Sequence, residues 1–132
     1  MFWSKKHKYN AKKTEIDWIK FDSAFEARVY TYLRDNNITI LDRQIRFVLQ
    51  DKFRYKGEAI RTIEYKPDFL IEWNWQQFYV DAKGMQDAQF KIKLKMWQFR
   101  YGQTGLELLI VKSIKDLEQQ LWHYPSYSQH SW

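Results

Sequence analysis

Three stretches of the chain carry apolar residues at the three- and four-residue spacing that predicts an amphipathic helix. The first helix is predicted to begin at Asp22 and Ser23 and to end at the Asn36-Asn37 pair. The second runs from Ala88 to Tyr101, and the third follows Ser113. The predicted apolar stripes are Phe25, Val29, Tyr32 and Leu33 in the first helix, Phe90, Leu94, Trp97 and Tyr101 in the second, and Ile114, Leu117 and Leu121 in the third.

β-Branched and aromatic residues dominate the chain between the first two helical patterns. Residues 40 to 50 and about 53 to 65, interrupted near Lys56-Gly57, predict strands that precede a further hairpin. Leu106 to Val111 is a nearly continuous apolar run, which is typical of a strand buried on both faces. The predicted order is helix, three strands in a meander, helix, strand, helix (α-β-β-β-α-β-α). The expected fold class is therefore α/β (α+β), with a mixed β-sheet flanked by helices.

Two strand-like runs flank the polar segment 74–77 and predict a β-hairpin there. If Trp73 pairs with Phe78 across a four-residue loop, Asp68 and Asp81 lie on the same face, because side chains alternate along a strand. They would then be diagonal neighbours roughly 6 Å apart. A slip of one residue in the pairing would send the two acids to opposite faces.

In that register Asp68 would face Lys83, so the segments Pro67-Asp68 and Asp81-Ala82-Lys83 would bring two carboxylates and an amine together. Two buried acids raise each other's pKa unless a cation lies between them. Mg²⁺ or Mn²⁺ suits such a site, with Asp68, Asp81 and the backbone carbonyl of Ala82 as oxygen ligands. Lys83 could orient or deprotonate the attacking water, or stabilise charge in the transition state of phosphodiester hydrolysis. The alternative is a strand that starts after Pro67 and a surface ion pair between Asp81 and Lys83.

Glu26 lies at the border of the apolar stripe of the first helix, in line with Tyr30 and Leu33. It is a candidate third carboxylate, acting on the metal directly or through water. Equally, Ser23-Ala24-Phe25-Glu26 fits a capping box, in which the Glu side chain bonds back to the N-cap amide. The spacing leaves both interpretations open.

Composition narrows the class of protein. The chain has 132 residues, which suits one domain with a core of its own, and it contains no cysteine, which fits a reducing interior. Its net charge of +6 and its 19% aromatic content favour a polyanionic partner such as nucleic acid, although basic proteins of other kinds share these totals. No apolar run is long enough for a membrane span, and the start lacks a signal peptide. We expect a soluble intracellular protein with a flexible basic arm over residues 1–20, one domain over 21–123 and a loose tail over 124–132.

The order of these motifs resembles the PD-(D/E)XK nuclease superfamily, with Asp81 where Glu is commoner. The segments 8–13, 21–28 and 81–84 more closely resemble small phage and prophage endonucleases related to Holliday junction resolvases. The similarity extends from about residue 8 to residue 112.

The resemblance implies a restriction-endonuclease-like core and Mg²⁺- or Mn²⁺-dependent cleavage of DNA, with a preference for branched or structured DNA. It implies a homodimer, because two symmetric cuts require two sites, and an enzyme encoded by a phage or prophage and acting in the cytoplasm of a bacterial host. The catalytic residues that it implies are Glu26, Asp68, Asp81 and Lys83. The DNA-binding candidates are Lys91, Lys93 and Lys95 on the second helix and Lys12 and Lys13 in the basic arm.

Two other functions fit the same residues. A non-catalytic DNA-binding module would keep the basic surface and bind equally well with or without a divalent metal. A nuclease subunit of a larger transposition or packaging complex would be inactive alone and would regain cleavage with its partner.

Overall fold

The computed structural model describes residues 13–124, which form three α-helices, ten strands and one short 3-10 helix. The helices are α1 (Ala24–Asp35), α2 (Ala88–Arg100) and α3 (Ile114–Trp122), and the 3-10 helix Gly102–Thr104 follows α2. The strands are β1 (Thr14–Ile16), β2 (Ile19–Phe21), β3 (Thr39–Arg43), β4 (Phe47–Gln50), β5 (Phe53–Tyr55), β6 (Glu58–Ile60), β7 (Ile63–Tyr65), β8 (Phe69–Trp73), β9 (Gln76–Ala82) and β10 (Leu108–Val111).

The central sheet has four strands in the order β10-β9-β8-β3. β9 and β10 are parallel, whereas β8 is antiparallel to both β9 and β3, so the sheet is mixed. β1 pairs with β2, β4 with β7, and β5 with β6 in three separate two-stranded ribbons. The predicted class, a mixed sheet flanked by helices, is confirmed.

Each of the three helices begins at a polar residue that caps it. Ser23, Asp87 and Ser113 have extended backbones, and the side chain of each accepts a hydrogen bond from the amide three residues later. Such N-caps satisfy one of the amides that a helix start leaves without a partner. The predicted helix starts are therefore confirmed.

One face of the central sheet packs against α1 and α3. Phe69, Ile71, Phe78 and Val80 project from β8 and β9 into this core, and Leu33 of α1 is among the residues that meet them. All five side chains are fully buried. This core holds β8 and β9 against the two helices. It therefore fixes the positions of the first residue of β8 and the last residue of β9.

The opposite face of the sheet packs against α2 and the β4–β7 ribbon. Phe47 and Tyr65 from the ribbon and Phe90 and Trp97 from α2 form a second buried cluster against Tyr79 of β9. Phe47 meets the Tyr79 ring edge-on with centroids 5.0 Å apart, and meets Trp97 at 5.7 Å. Both faces of the central sheet are thus covered. The face toward α2 packs against the cluster that contains the Tyr65 hydroxyl.

The structure corrects three details of the predicted architecture. Seven strands, rather than the predicted three-stranded meander, lie between α1 and α2. Residues 14–20 of the predicted flexible arm form the β1–β2 hairpin together with Phe21, while residues 1–12 lie outside the described part. Tyr124, assigned to the loose tail, packs edge-on against Phe78 with centroids 4.7 Å apart, and residues 125–132 also lie outside the described part.

The β8–β9 hairpin has a different register from the predicted one. Trp73 pairs with Gln76 and Ile71 with Phe78, so the loop is the two-residue turn Asn74-Trp75 and not a four-residue loop. Both turn residues have positive φ, 50° and 67°, as a type I′ turn requires, and such turns match the twist of the flanking strands. The register differs from the prediction by two residues, so the parity of the faces is kept.

Between residues 13 and 124, no helix is both long enough and apolar enough to cross a membrane.

Candidate functional site

The two aspartates of the predicted site lie side by side at the end of the β8–β9 hairpin. Phe69 pairs with Val80, and continuing this register by one residue sets Asp68 opposite Asp81, where the predicted register had placed Lys83. Asp81 is 2% exposed, and Asp68 Oδ2 accepts a hydrogen bond of 2.8 Å from the amide of Ala82. The hairpin therefore holds the two carboxyl groups together through backbone pairing and one additional hydrogen bond.

This arrangement has an electrostatic cost. Burial and then the negative charge of Asp81 raise the pKa of Asp68 to about 9 from its ordinary value of 3.8, and hydrogen bonding between the two carboxyl groups and the charge of Glu26 act in the same direction. The amide of Ala82 opposes the rise only in part. Without a cation, this environment therefore favours the protonated form of Asp68.

Tyr65 and Lys83 contact the same oxygen of Asp81. The Tyr65 hydroxyl donates a hydrogen bond of 2.5 Å to Asp81 Oδ2, and Lys83 Nζ lies 3.8 Å from that oxygen. The Lys83 ammonium also lies 4.8 Å from the centre of the Phe90 ring, which holds it over the second cluster. Burial and the Asp81 charge raise the pKa of Tyr65, so its hydroxyl keeps its proton and acts as a donor.

Glu26 is connected to Asp68 through Gln44. The side-chain Nε2 of Gln44 lies 3.1 Å from Glu26 Oε2 and 3.5 Å from Asp68 Oδ1. The backbone amide of Gln44 donates a 3.0 Å hydrogen bond to the backbone carbonyl of Asp68. Gln44 has φ of 53°, a left-handed conformation that is uncommon outside glycine and is often found at functional sites. The structure therefore brings Glu26 to the edge of the aspartate pair without direct contact between them.

Both interpretations of Glu26 are represented in part. The Ser23 side chain accepts from the Glu26 amide at 3.1 Å, as a capping box requires. The Glu26 carboxylate, however, accepts from Gln44 and lies 3.6 Å from Arg43 Nη2. Burial, followed by the nearby charge of Asp22, raises the pKa of Glu26, while Arg43 lowers it. The backbone amide of Glu26 thus takes part in the N-cap of α1, while its carboxylate faces the site.

A groove of about 510 Å³ adjoins the aspartate pair through Tyr65 and Lys83. Lys66 and Lys93 line it together with Lys83, so three lysines border one opening. Its acidic lining residues are Glu64 and Asp87, and its other lining residues are Thr62, Gln89 and Phe90. Glu64 is paired with Arg46, which lowers the pKa of Glu64 and offsets its charge.

The predicted DNA-binding lysines do not all lie at this groove. Lys93 lines it, whereas Lys95 lines a separate depression with Leu49 and Phe99, and Lys91 is exposed on α2. Lys13 is exposed at the start of the described chain, and Lys12 lies outside the described residues. The structure thus unites Lys93 with Lys83 and adds Lys66, which the sequence analysis did not select.

The sequence of residues 6–118 matches the family described as Protein of unknown function (DUF1064). The chain belongs to this family. A search of curated proteins gave no match. A search of solved structures gave no match either. The DUF1064 match spans all the elements that carry the site, from Glu26 on α1 to Lys93 on α2.

At the aspartate pair of this DUF1064 chain, the side-chain donors available for a metal are the carboxylate oxygens of Asp68 and Asp81. Among residues 13–124, no group of three or more His, Asp or Glu side chains is arranged to hold a metal ion. The pair Asp68 and Asp81 fits a hard divalent cation such as Mg²⁺ or Mn²⁺, which takes few protein ligands and keeps several waters. A cation between them would remove the repulsion that raises the pKa of Asp68.

Sequence reasoning missed Gln44 and Tyr65. Gln44 lies inside the predicted strand of residues 40 to 50 and carries no motif, and nothing in its residue type indicates a left-handed backbone. Tyr65 offered a weak signal, because it ends a predicted strand two residues before Pro67 and its side chain combines an apolar ring with a hydroxyl donor. Its contact with Asp81 depends on the packing of the β4–β7 ribbon against the sheet.

Proposed function

We propose that this protein is a divalent-metal-dependent DNA endonuclease that hydrolyses phosphodiester bonds. The single observation that carries the proposal is the pair formed by the partly buried Asp68 and the buried Asp81, with the Lys83 ammonium 3.8 Å from Asp81. Two adjacent carboxyl groups and a neighbouring ammonium group are the groups that metal-assisted hydrolysis uses. The sequence resemblance to small phage and prophage nucleases supports the same reaction.

Asp68 and Asp81 would hold Mg²⁺ or Mn²⁺, and the bound cation supplies Lewis acidity and a more acidic water. The neighbouring residues would orient the carboxylates or neutralise negative charge. Tyr65 occupies Oδ2 of Asp81, which fixes the rotation of that carboxylate and leaves its other oxygen free of this contact. Lys83 provides a positive charge near the reacting phosphate, where it stabilises the negative charge that develops during attack.

The groove beside the site suits a phosphate backbone. Lys66, Lys83 and Lys93 share its lining, and the chain carries a net charge of +6. Cationic side chains along a groove bind nucleic acid mainly through phosphates, without regard to sequence. We propose DNA, in branched or structured form, as the substrate and a homodimer as the acting species, because paired cuts need two sites.

A second candidate function is a DNA-binding module without cleavage. It is favoured by the finding that, over residues 13–124, the acids do not assemble into a group of three or more metal donors. Such a module would bind DNA through the same groove and would be indifferent to chelation of metals.

The testing experiment compares the purified full chain with two variants on labelled linear, forked, flapped and four-way DNA in Mg²⁺, Mn²⁺ or EDTA. We expect cleavage in Mg²⁺ or Mn²⁺ and none in EDTA. Asp81→Asn and Lys83→Ala should each lower the cleavage rate by about 100-fold or more. DNA affinity in EDTA should change little in Asp81→Asn, which keeps all three groove lysines, and should fall only modestly in Lys83→Ala, which keeps Lys66 and Lys93. Wild-type rates in either variant would contradict its assigned role. DNA binding with no products under all conditions would favour the second candidate.

A further inference from the structure

The β5–β6 hairpin is the most exposed regular element among the described residues. β5 and β6 pair with each other and with no other strand, and all six of their residues are exposed. Lys56 and Gly57 form its turn with φ of 49° and 83°, and Arg54 Nη2 donates a 2.6 Å hydrogen bond to the Gly57 carbonyl. The hairpin is thus a tightly closed ribbon that pairs with no other strand among residues 13–124.

One face of this ribbon carries two aromatic rings, an isoleucine and a glutamate. Phe53 pairs with Ile60 and Tyr55 with Glu58, so these four side chains share a face, because cross-strand partners and alternate residues point the same way. Phe53 is 46% exposed and Tyr55 is 59% exposed. Large apolar side chains grouped on an exposed ribbon indicate a surface that another molecule covers.

The charges around this face favour a polyanion. Residues 52–61 include four cationic side chains and one acidic side chain, Glu58. The cations are Lys52, Arg54, Lys56 and Arg61, and the Lys56 ammonium lies 5.4 Å from the centre of the Tyr55 ring. Aromatic rings interleaved with cations are the features by which proteins bind single-stranded nucleic acid, with rings on bases and cations on phosphates.

The ribbon also lies on the same stretch of chain as the groove. β7 ends at Tyr65, which contacts Asp81, and Thr62 of the groove lining precedes β7 and is only two residues from Ile60 at the base of the hairpin. From Tyr65 to the turn at Gly57 the chain spans eight residues, hence at most about 29 Å. A DNA strand bound in the groove would therefore reach the hairpin within about eight nucleotides of the aspartate pair, at about 3.4 Å per nucleotide.

We propose that the β5–β6 hairpin binds unpaired nucleotides, with Phe53 and Tyr55 stacking on bases and the surrounding cations holding phosphates. The inference rests on the proposed function in that it assumes a nucleic-acid substrate, and it narrows that substrate to DNA with single-stranded or unpaired segments near the cleaved bond. Bases in an intact duplex are stacked on each other, so their faces are closed to these rings.

The test measures binding by the full chain in EDTA, where no cleavage can occur. Fluorescence anisotropy gives the affinity for a labelled single-stranded oligonucleotide, for a fork that contains it and for the duplex of the same sequence. The double variant Phe53→Ala/Tyr55→Ala should lose about 10-fold or more in affinity for the single strand and the fork, and less than about 3-fold for the duplex. Tyr55→Phe keeps the ring and should bind as the wild type does.

Trp18→Ala is the matched control, because Trp18 is an aromatic residue 92% exposed at the turn of a different hairpin, β1–β2. It should leave all three affinities unchanged. Thermal unfolding of each variant should match the wild type, since the replaced side chains have no core contacts to lose.

Three outcomes would overturn the inference. They are an unchanged single-strand affinity in the double variant, an equal loss on duplex and single strand, and a change from dimer to monomer in light scattering, which would make this face a contact between copies. Because binding is read without metal, failure of cleavage alone would contradict the proposed nuclease and leave this result intact.

Discussion

At the scale of single residues, the geometry of the candidate site depends on side chains that orient its carboxyl groups through hydrogen bonds. Tyr65 donates to Asp81 Oδ2, and Gln44 lies between Glu26 and Asp68. In proteins that bind metals, such supporting hydrogen bonds orient the ligands, and losing one typically lowers metal affinity by about 10- to 100-fold. The proposed site therefore extends beyond the residues that would touch the metal.

Tyr65→Phe should separate positioning from packing. The ring stays in the second cluster, but Asp81 loses its 2.5 Å donor. We expect the Mg²⁺ concentration for half-maximal cleavage to rise by about 10-fold or more, with recovery of the rate at high Mg²⁺. The measurement is a metal titration of the cleavage rate.

Tyr101→Phe is the control for this change. Its hydroxyl donates a 2.6 Å hydrogen bond to the Val48 carbonyl, also in the second cluster but away from the aspartates. Both variants should lose about 1 kcal/mol of unfolding free energy, and only Tyr65→Phe should shift the metal titration. Identical shifts in both would assign Tyr65 to stability alone.

At the scale of elements, α1 has two tasks. Its N-cap Ser23 bonds the amide of Glu26, and the carboxylate of that same residue faces Gln44. The start of the helix therefore decides where the third acid lies. α3 begins with an equivalent cap, Ser113 bonding the Asp116 amide, but it carries no residue of the site.

Ser23→Ala and Ser113→Ala form a matched pair. Each removes one N-cap hydrogen bond, so each should lower the unfolding free energy by about 0.5–2 kcal/mol, as measured by urea denaturation. Only Ser23→Ala should also slow cleavage, by several-fold, because fraying at Ser23 loosens Glu26. Equal cleavage rates in the two variants would indicate that Glu26 acts as a capping residue only.

The sequence pattern predicts the elements better than their pairing. Apolar spacing and polar caps specify where the helices begin, since both signals are local. The predicted β8–β9 register was wrong by two residues, because an Asn-Trp turn with two positive φ values is not evident from residue type. Asp68 and Asp81 nevertheless share a face, because parity is insensitive to a shift of two. Tyr65 and Gln44 depend on contacts between distant segments, which no local pattern carries.

At the scale of the whole molecule, the site makes folding sensitive to pH. The pKa of Asp68 is raised from 3.8 to about 9, so the folded protein binds that proton more tightly than the unfolded chain. This stability is fully present below about pH 4 and is lost as the pH rises through about 9. The raised pKa of Glu26 acts in the same direction. The lowered pKa values of Asp17 and Glu64 affect stability only in the acid range.

In EDTA, we therefore expect the midpoint of thermal unfolding to fall between pH 5 and pH 9. Adding Mg²⁺ should raise the midpoint more at pH 8 than at pH 5, because metal binding requires both carboxylates to be deprotonated. Asp68→Asn should flatten the pH profile and abolish the gain from Mg²⁺, while the exposed Asp51→Asn should behave as the wild type. Calorimetry at several pH values would measure this, and a wild-type profile that rises toward pH 9 in EDTA would contradict it.

The burial of Trp97 gives the molecule a natural optical reporter. Its indole is 2% exposed within the second cluster, whereas Trp18 and Trp75 project into solvent at hairpin turns. Buried indoles and solvated ones emit at different wavelengths, and Trp97 is the most buried tryptophan among residues 13–124, so it contributes to the blue edge of the emission spectrum. The helix that contributes Lys93 and Phe90 to the groove thus carries its own fluorophore, and displacement of that helix by a bound strand would change the colour of the protein's emitted light.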